Sequence, residues 1–204
     1  KTQSSLMEAM QEKQVTISKD TFPLPDPFFV MATQNPVETE GVYSLPEAQV
    51  DRFLFKINVG YPKEEHEYRV MNDNSTFRKF DDYKLNTIVS PSSIIAMQKL
   101  THEVYSDPKI KDYILGIIKK SREKDFELGK YIDLGCSPRA TISLYHASKA
   151  QAIMNGRNFV IPSDVKAIAK DVLRHRLILS YKARADNVTP DMVVEQILKE
   201  VASV

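Results

Sequence analysis

A chain of 204 residues, 42% hydrophobic and 27% charged, has an ordinary globular composition and room for one domain, or one small domain plus part of another. Its 28 Lys and Arg against 27 Asp and Glu leave a net charge of +1, which argues against a nucleic-acid binder, whose surface needs concentrated positive charge. No run reaches the ~18 uninterrupted apolar residues of a membrane span. The single cysteine, Cys136, excludes an intramolecular disulfide and suits a reducing compartment such as the cytoplasm.

The opening KTQSSLMEAM lacks the basic-then-apolar order of a signal peptide and starts inside a helical pattern, so the chain reads as part of something longer. Leu6, Met7 and Met10 sit at helical spacing and predict the end of an amphipathic helix over residues 1–12. Val15 and Ile17 alternate with polar neighbours, a Ser18-Lys19-Asp20 turn follows, then Phe22 and Leu24, which predicts a β-hairpin. Phe28 to Thr33 is a nearly continuous apolar run, the pattern of a parallel strand covered on both faces. It stops at Gln34-Asn35-Pro36. Ser44, with Glu47 three residues on, forms a capping box for a short helix ending near Arg52. FLFKINVGYP then predicts a second strand, closed by Gly60 and Pro62.

Beyond residue 61 the pattern turns helical. Ser90-Pro91, Asp107-Pro108, Ser137-Pro138 and Thr189-Pro190 each pair a capping oxygen with a proline suited to the first helical position. Ile110, Tyr113, Ile114 and Ile117 repeat at i, i+3, i+4, i+7, and so do Val165, Ile168, Ala169 and Val172. Gly156 is placed to stop the helix that starts at Pro138. The expected organisation is α/β material over 1–60 and an all-α bundle over 61–204.

Three residues suggest chemistry. Asn35 closes the predicted strand, where open α/β sheets present ligand-binding groups, although Asn-Pro is also common turn chemistry. Arg52 lies at a helix end before a strand. It could stabilise a transferring phosphoryl group from a neighbouring subunit, or simply favour the helix C-terminus or pair with Asp51. Arg139 falls at the second position of a helix, where the dipole disfavours cations; a bound anion would explain it, as would a side chain extended into solvent. His66, His102, His146 and His175 show no metal-ligand spacing. LRHRL (Leu173 to Leu177) reads as cations at a helix end. No G-x-x-x-x-G-K-[ST] is present.

LMEAMQEKQVTI, FFVMATQNPVETEGVYSLPEAQVDRFLFKI and SPRATISLYHASKAQAIMNGR together resemble the MoxR family of AAA+ ATPases, along almost the whole chain. The resemblance implies the C-terminal part of a parallel-sheet ATPase core, with sensor 1 and the arginine finger, followed by a helical lid carrying sensor 2. Asn35 would then be sensor 1, orienting the attacking water. Arg52 would be the finger reaching the next subunit's nucleotide, and Arg139 would be sensor 2. The implied cofactors are ATP and Mg2+. The implied partners are identical subunits in a ring, as a hexamer, and client complexes with von Willebrand factor A-type domains. The implied work is chaperone-like maturation or activation of those clients. The family's Walker A loop and Walker B acids, which hold phosphate and Mg2+, would precede Lys1, so the 204 residues alone are expected to bind ATP poorly. A non-enzymatic helical module with a degenerate ATPase remnant, and a DNA-remodelling motor, are the alternative functions.

Overall fold

The computed structural model describes residues 2–35, 45–74 and 80–202. Helix α1 (Thr2–Glu12) leads into strands β1 (Gln14–Ile17) and β2 (Asp20–Pro23), an antiparallel hairpin in which Ile17 faces Asp20 and Gln14 faces Pro23. Ser18 turns the corner at φ 61°, Met7 and Ala9 of α1 are buried, and Thr16 Oγ1 of the hairpin donates to Glu8 Oε1 of α1 at 2.6 Å. The predicted hairpin is therefore present. A one-turn helix, α2 (Glu47–Val50), precedes Arg52. The expected capping box does not open it: the helix starts at Glu47 itself, with Pro46 at the cap position and no side-chain cap, while Ser44 lies outside the described residues.

Neither predicted strand is paired among the described residues. Residues 28–35 and 55–63 carry no strand pairing, and Phe29, Met31, Val59 and Tyr61 are more than four-fifths exposed. A parallel strand exists only as one rung set of a ladder, because an unpaired row of N–H and C=O groups has nothing to hold it extended. Among the described residues no strand lies alongside either run.

From residue 64 the chain is helical: α3 (Glu64–Asn74), α4 (Pro91–Glu103), α5 (Pro108–Lys120), α6 (Pro138–Met154), α7 (Pro162–Leu173), α8 (Tyr181–Ala185) and α9 (Pro190–Glu200). The four predicted starts all hold. Ser90, Asp107, Ser137 and Thr189 each accept a first-turn backbone N–H, from Ser93, Lys109, Arg139 and Met192 respectively. At the other end of α6, Gly156 adopts φ +71°, with its N–H on Ile153 O at 2.8 Å and the Arg157 N–H on Ala152 O at 2.9 Å. That is a Schellman stop, which needs a left-handed residue.

The core lies among α5, α6, α7 and α9. Ile114, Ile117, Leu144, Val165, Val172, Val193 and Ile197 are at most 1% exposed. Each such side chain contributes about 1.5–3 kcal/mol by leaving water. A short antiparallel ribbon, β3 (Ile132–Leu134) with β4 (Ile178–Leu179), ties the start of α6 to the end of α7. Asp164, 1% exposed, secures the α6–α7 turn by accepting from Arg157 Nη2 at 2.5 Å and from the Ile161 N–H at 3.0 Å.

Candidate functional site

Arg139 sits where the sequence puts it, in the first turn of α6. The approach to that turn is tightly held. Ser121 Oγ accepts the Cys136 N–H at 3.1 Å, and Arg122 Nε donates to Cys136 O at 2.9 Å. A Cβ on Gly135 would lie 2.4 Å from Ser121 O, so only glycine allows this approach to the end of α5. Burial pushes the Cys136 thiol up to about 11, which keeps it protonated and unreactive.

Arg52 follows α2 in a turn, and its Nε and Nη1 are buried with no hydrogen-bond partner among the described residues. A guanidinium left unsatisfied in this way is costly unless something beyond the described residues completes it. Arg52 and Arg139 line one cleft of about 340 Å³ with Met10, Gln11 and Glu12 from the last turns of α1. Thus two cations that are far apart in sequence converge on one concavity. Asn35 is exposed and is not among the residues lining it.

Between the two arginines lies Asp51. Its carboxylate does not pair with Arg52. Oδ1 accepts from Arg176 Nε at 2.9 Å, Oδ2 accepts from Ser137 Oγ at 2.9 Å, and Arg139 Nε stands 3.9 Å from Oδ2. The Ser137 hydroxyl also accepts the Arg139 N–H at 3.2 Å, so one acid joins the Arg52 turn to the Arg139 turn. From sequence alone Asp51 is a partner for Arg52, and Arg176 is an ordinary helix-end cation. The residues sit in VDRF and LRHRL, but nothing in either stretch shows that they meet.

Residues 1–55 match the family described as "ATPase family associated with various cellular activities (AAA)", and residues 128–197 match the AAA lid domain. The chain is 42% identical to Chaperone MoxR1 of Mycobacterium tuberculosis over 99% of its own length and 54% of the relative's. The chain belongs to the MoxR family of AAA+ ATPases. It is also 25% identical to Protein MoxR of Methylorubrum extorquens, over 92% of this chain and 59% of that one. A crystal structure from Cytophaga hutchinsonii, described as a candidate ATPase, superposes with a TM-score of 0.89 at 42% identity, covering 99% of this chain and 62% of the other. The chain therefore spans little more than half the length of the MoxR relatives it matches. The expected fold class holds: an AAA segment followed by an AAA lid. No helix among the described residues is long and apolar enough to cross a membrane.

Proposed function

We propose that the whole protein is an ATPase assembled as a ring of identical subunits, a hexamer, in which Arg52 and Arg139 grip phosphate oxygens and Asn35 orients the attacking water. The observation carrying this reading is that Arg52, two of whose side-chain nitrogens are buried without a partner among the described residues, lines one cleft with Arg139. A phosphate oxygen is the acceptor such nitrogens lack, and guanidinium forks suit it geometrically. ATP supplies the phosphoanhydride bond that is cleaved. The chain's own residues supply positive charge where negative charge builds up, and a positioned amide.

Arg52 acts on the nucleotide of the adjoining subunit, which makes turnover depend on assembly. Arg139 follows phosphate from the lid, which links lid position to nucleotide state. Mg2+ accompanies ATP in this scheme. Among the described residues no group of three His, Cys, Asp or Glu could hold a metal ion. The organisation that goes with these roles is an ATPase-core segment over 1–60 and a lid over 61–204.

The chaperone name of the Mycobacterium relative supports a further step. Hydrolysis drives maturation or activation of partner complexes, with von Willebrand factor A-type domains as partners, in the cytoplasm. The deciding experiment is steady-state phosphate release by the full-length protein and by residues 1–204. Turnover by the full-length protein alone is expected. Robust release by the 204 residues overturns the assignment of the main nucleotide grip to the rest of the protein, and no release by either overturns the ATPase.

A further inference from the structure

The triplet Arg174-His175-Arg176, at the end of α7, takes no part in the proposed chemistry. Yet all three side chains reach the same short segment, the one that follows α2 and carries Arg52. Arg174 Nη1 donates to Lys56 O at 2.6 Å. His175 Nε2 meets Phe53 O at 3.0 Å; a carbonyl only accepts, so Nε2 carries the hydrogen. Arg176 donates through Nη1 to Leu54 O at 3.1 Å. Its Nη2 donates to Asp51 O at 3.0 Å and to Phe53 O at 2.6 Å. In return, the Lys56 N–H donates to Asp171 O at 2.9 Å.

Arg176 is the centre of this arrangement. It is 5% exposed, and a buried guanidinium is tolerated only when paired and fully hydrogen-bonded. Asp51 supplies the charge, and the acceptors come from both sides: Asp51, Phe53 and Leu54 on one, Val172 O and Ser143 Oγ of the helices on the other. The two carbonyls on Nη2 belong to the residues immediately before and after Arg52. One nitrogen thus brackets the peptide from which Arg52 projects, while the same Asp51 carboxylate holds Ser137, the cap of the helix that presents Arg139.

We propose that Arg176 is a positioning residue for Arg52, fastening residues 51–56 to α7 so that Arg52 and Arg139 keep a fixed separation and travel together with the lid. The proposal rests on the phosphate-gripping role given above to Arg52. Misplacing a catalytic group by about 1 Å can cost ~100-fold in rate, so the bracket has a functional consequence as well as a structural one.

The test uses full-length protein carrying Arg176→Lys and, separately, Asp51→Asn. Lysine keeps the charge but loses the planar fork that spans two carbonyls. Asparagine keeps the shape of Asp51 and an acceptor oxygen for Arg176 Nε while removing the charge, so it loosens the same contact from the other partner, and circular dichroism of each variant establishes that the turnover and exchange readings come from folded protein. Each is measured for amide hydrogen exchange at Lys56 and for ATP turnover, alone and combined with Arg52→Ala. Expected are faster exchange at Lys56, and a kcat lowered about tenfold or more with KM changed by less than about twofold. In the Arg52→Ala background the same substitutions are expected to produce no further loss, because they act through Arg52. An equal additional loss in that background overturns the positioning role, since a purely structural residue lowers kcat in both backgrounds. Unchanged Lys56 exchange in both variants overturns the fastening, whatever turnover does. If Arg52→Ala alone leaves turnover intact while Lys56 exchange quickens, Arg52's own role falls and takes the positioning role with it.

Discussion

Asp51 and Arg176 stand 125 residues apart in sequence and 2.9 Å apart in space, joined Oδ1 to Nε. Their side chains are 19% and 1% exposed, so the pair lies at the inner wall of the fold rather than on its surface. Burial pulls the Arg176 pKa down and the adjacent Asp51 charge opposes it. Through this pair the Arg52 turn belongs mechanically to the helical bundle, although by sequence it belongs with the segment before it.

Replacing Arg52 with alanine in the full-length protein is expected to leave nucleotide binding in place and remove most turnover. Arginine-finger chemistry sets the scale at roughly 3 kcal/mol of barrier or more. Phosphate release, set beside equilibrium nucleotide binding, measures both. Turnover equal to the parent's would remove Arg52 from the mechanism.

Arg139→Ala acts on a different quantity. If this guanidinium is what ties the lid to phosphate, the variant's distance distribution between a spin label on α9 and one on the core stays the same with and without an ATP analogue. The parent's distribution shifts. A variant that shifts as the parent does counts against the link.

Stability is expected to depend on pH through His175. Burial, then the neighbouring Arg176 charge, pulls this imidazole down to about 4 from an ordinary value near 6.5. The unfolded chain therefore binds a proton between those values while the folded one does not. The sign follows: the contribution is fully present above pH 6.5 and is lost as pH falls from 6.5 to 4, by up to about 3 kcal/mol. His146, also lowered by burial, adds in the same direction. Urea midpoints across this range should rise with pH, and His175→Gln, which keeps a donor for Phe53 O, should flatten the rise. An unaltered slope in that variant would assign the effect elsewhere.

Gly135→Ala is expected to destabilise by about 1–3 kcal/mol, the usual cost of overpacking. Its Cβ would meet backbone at 2.4 Å from Ser121 O and 2.9 Å from Arg122 Cα, and neither can rotate aside. Thermal unfolding measures the cost. A melting temperature within about 1 °C of the parent's would show that the turn before α6 yields easily.

What could be read from the sequence divides by range. The starts at Ser90, Asp107, Ser137 and Thr189 were legible because a capping oxygen and the next proline act within one turn. The buried faces of α5 and α7 were legible because periodicity needs no knowledge of the partner. The apolar runs at 28–33 and 53–62 stay unpaired among the described residues because composition describes a strand's surroundings, whereas a strand needs a second strand beside it. The meeting of Arg52 with Arg139, and of Asp51 with Arg176, depends on tertiary contacts that no local pattern encodes. Resemblance points to the two arginines of the cleft, but only the tertiary structure singles out Arg176.

Proline opens α4, α5, α6, α7 and α9 alike. Because each proline biases the preceding residue toward extended backbone, these helices resist lengthening backward by a residue. Loop insertions or deletions before them are poorly absorbed by sliding the helical phase, which would turn each buried stripe by about 100° per residue. Length variation among relatives of this bundle should therefore fall in the loops and leave the rotational setting of every helix, including the one presenting Arg139, untouched.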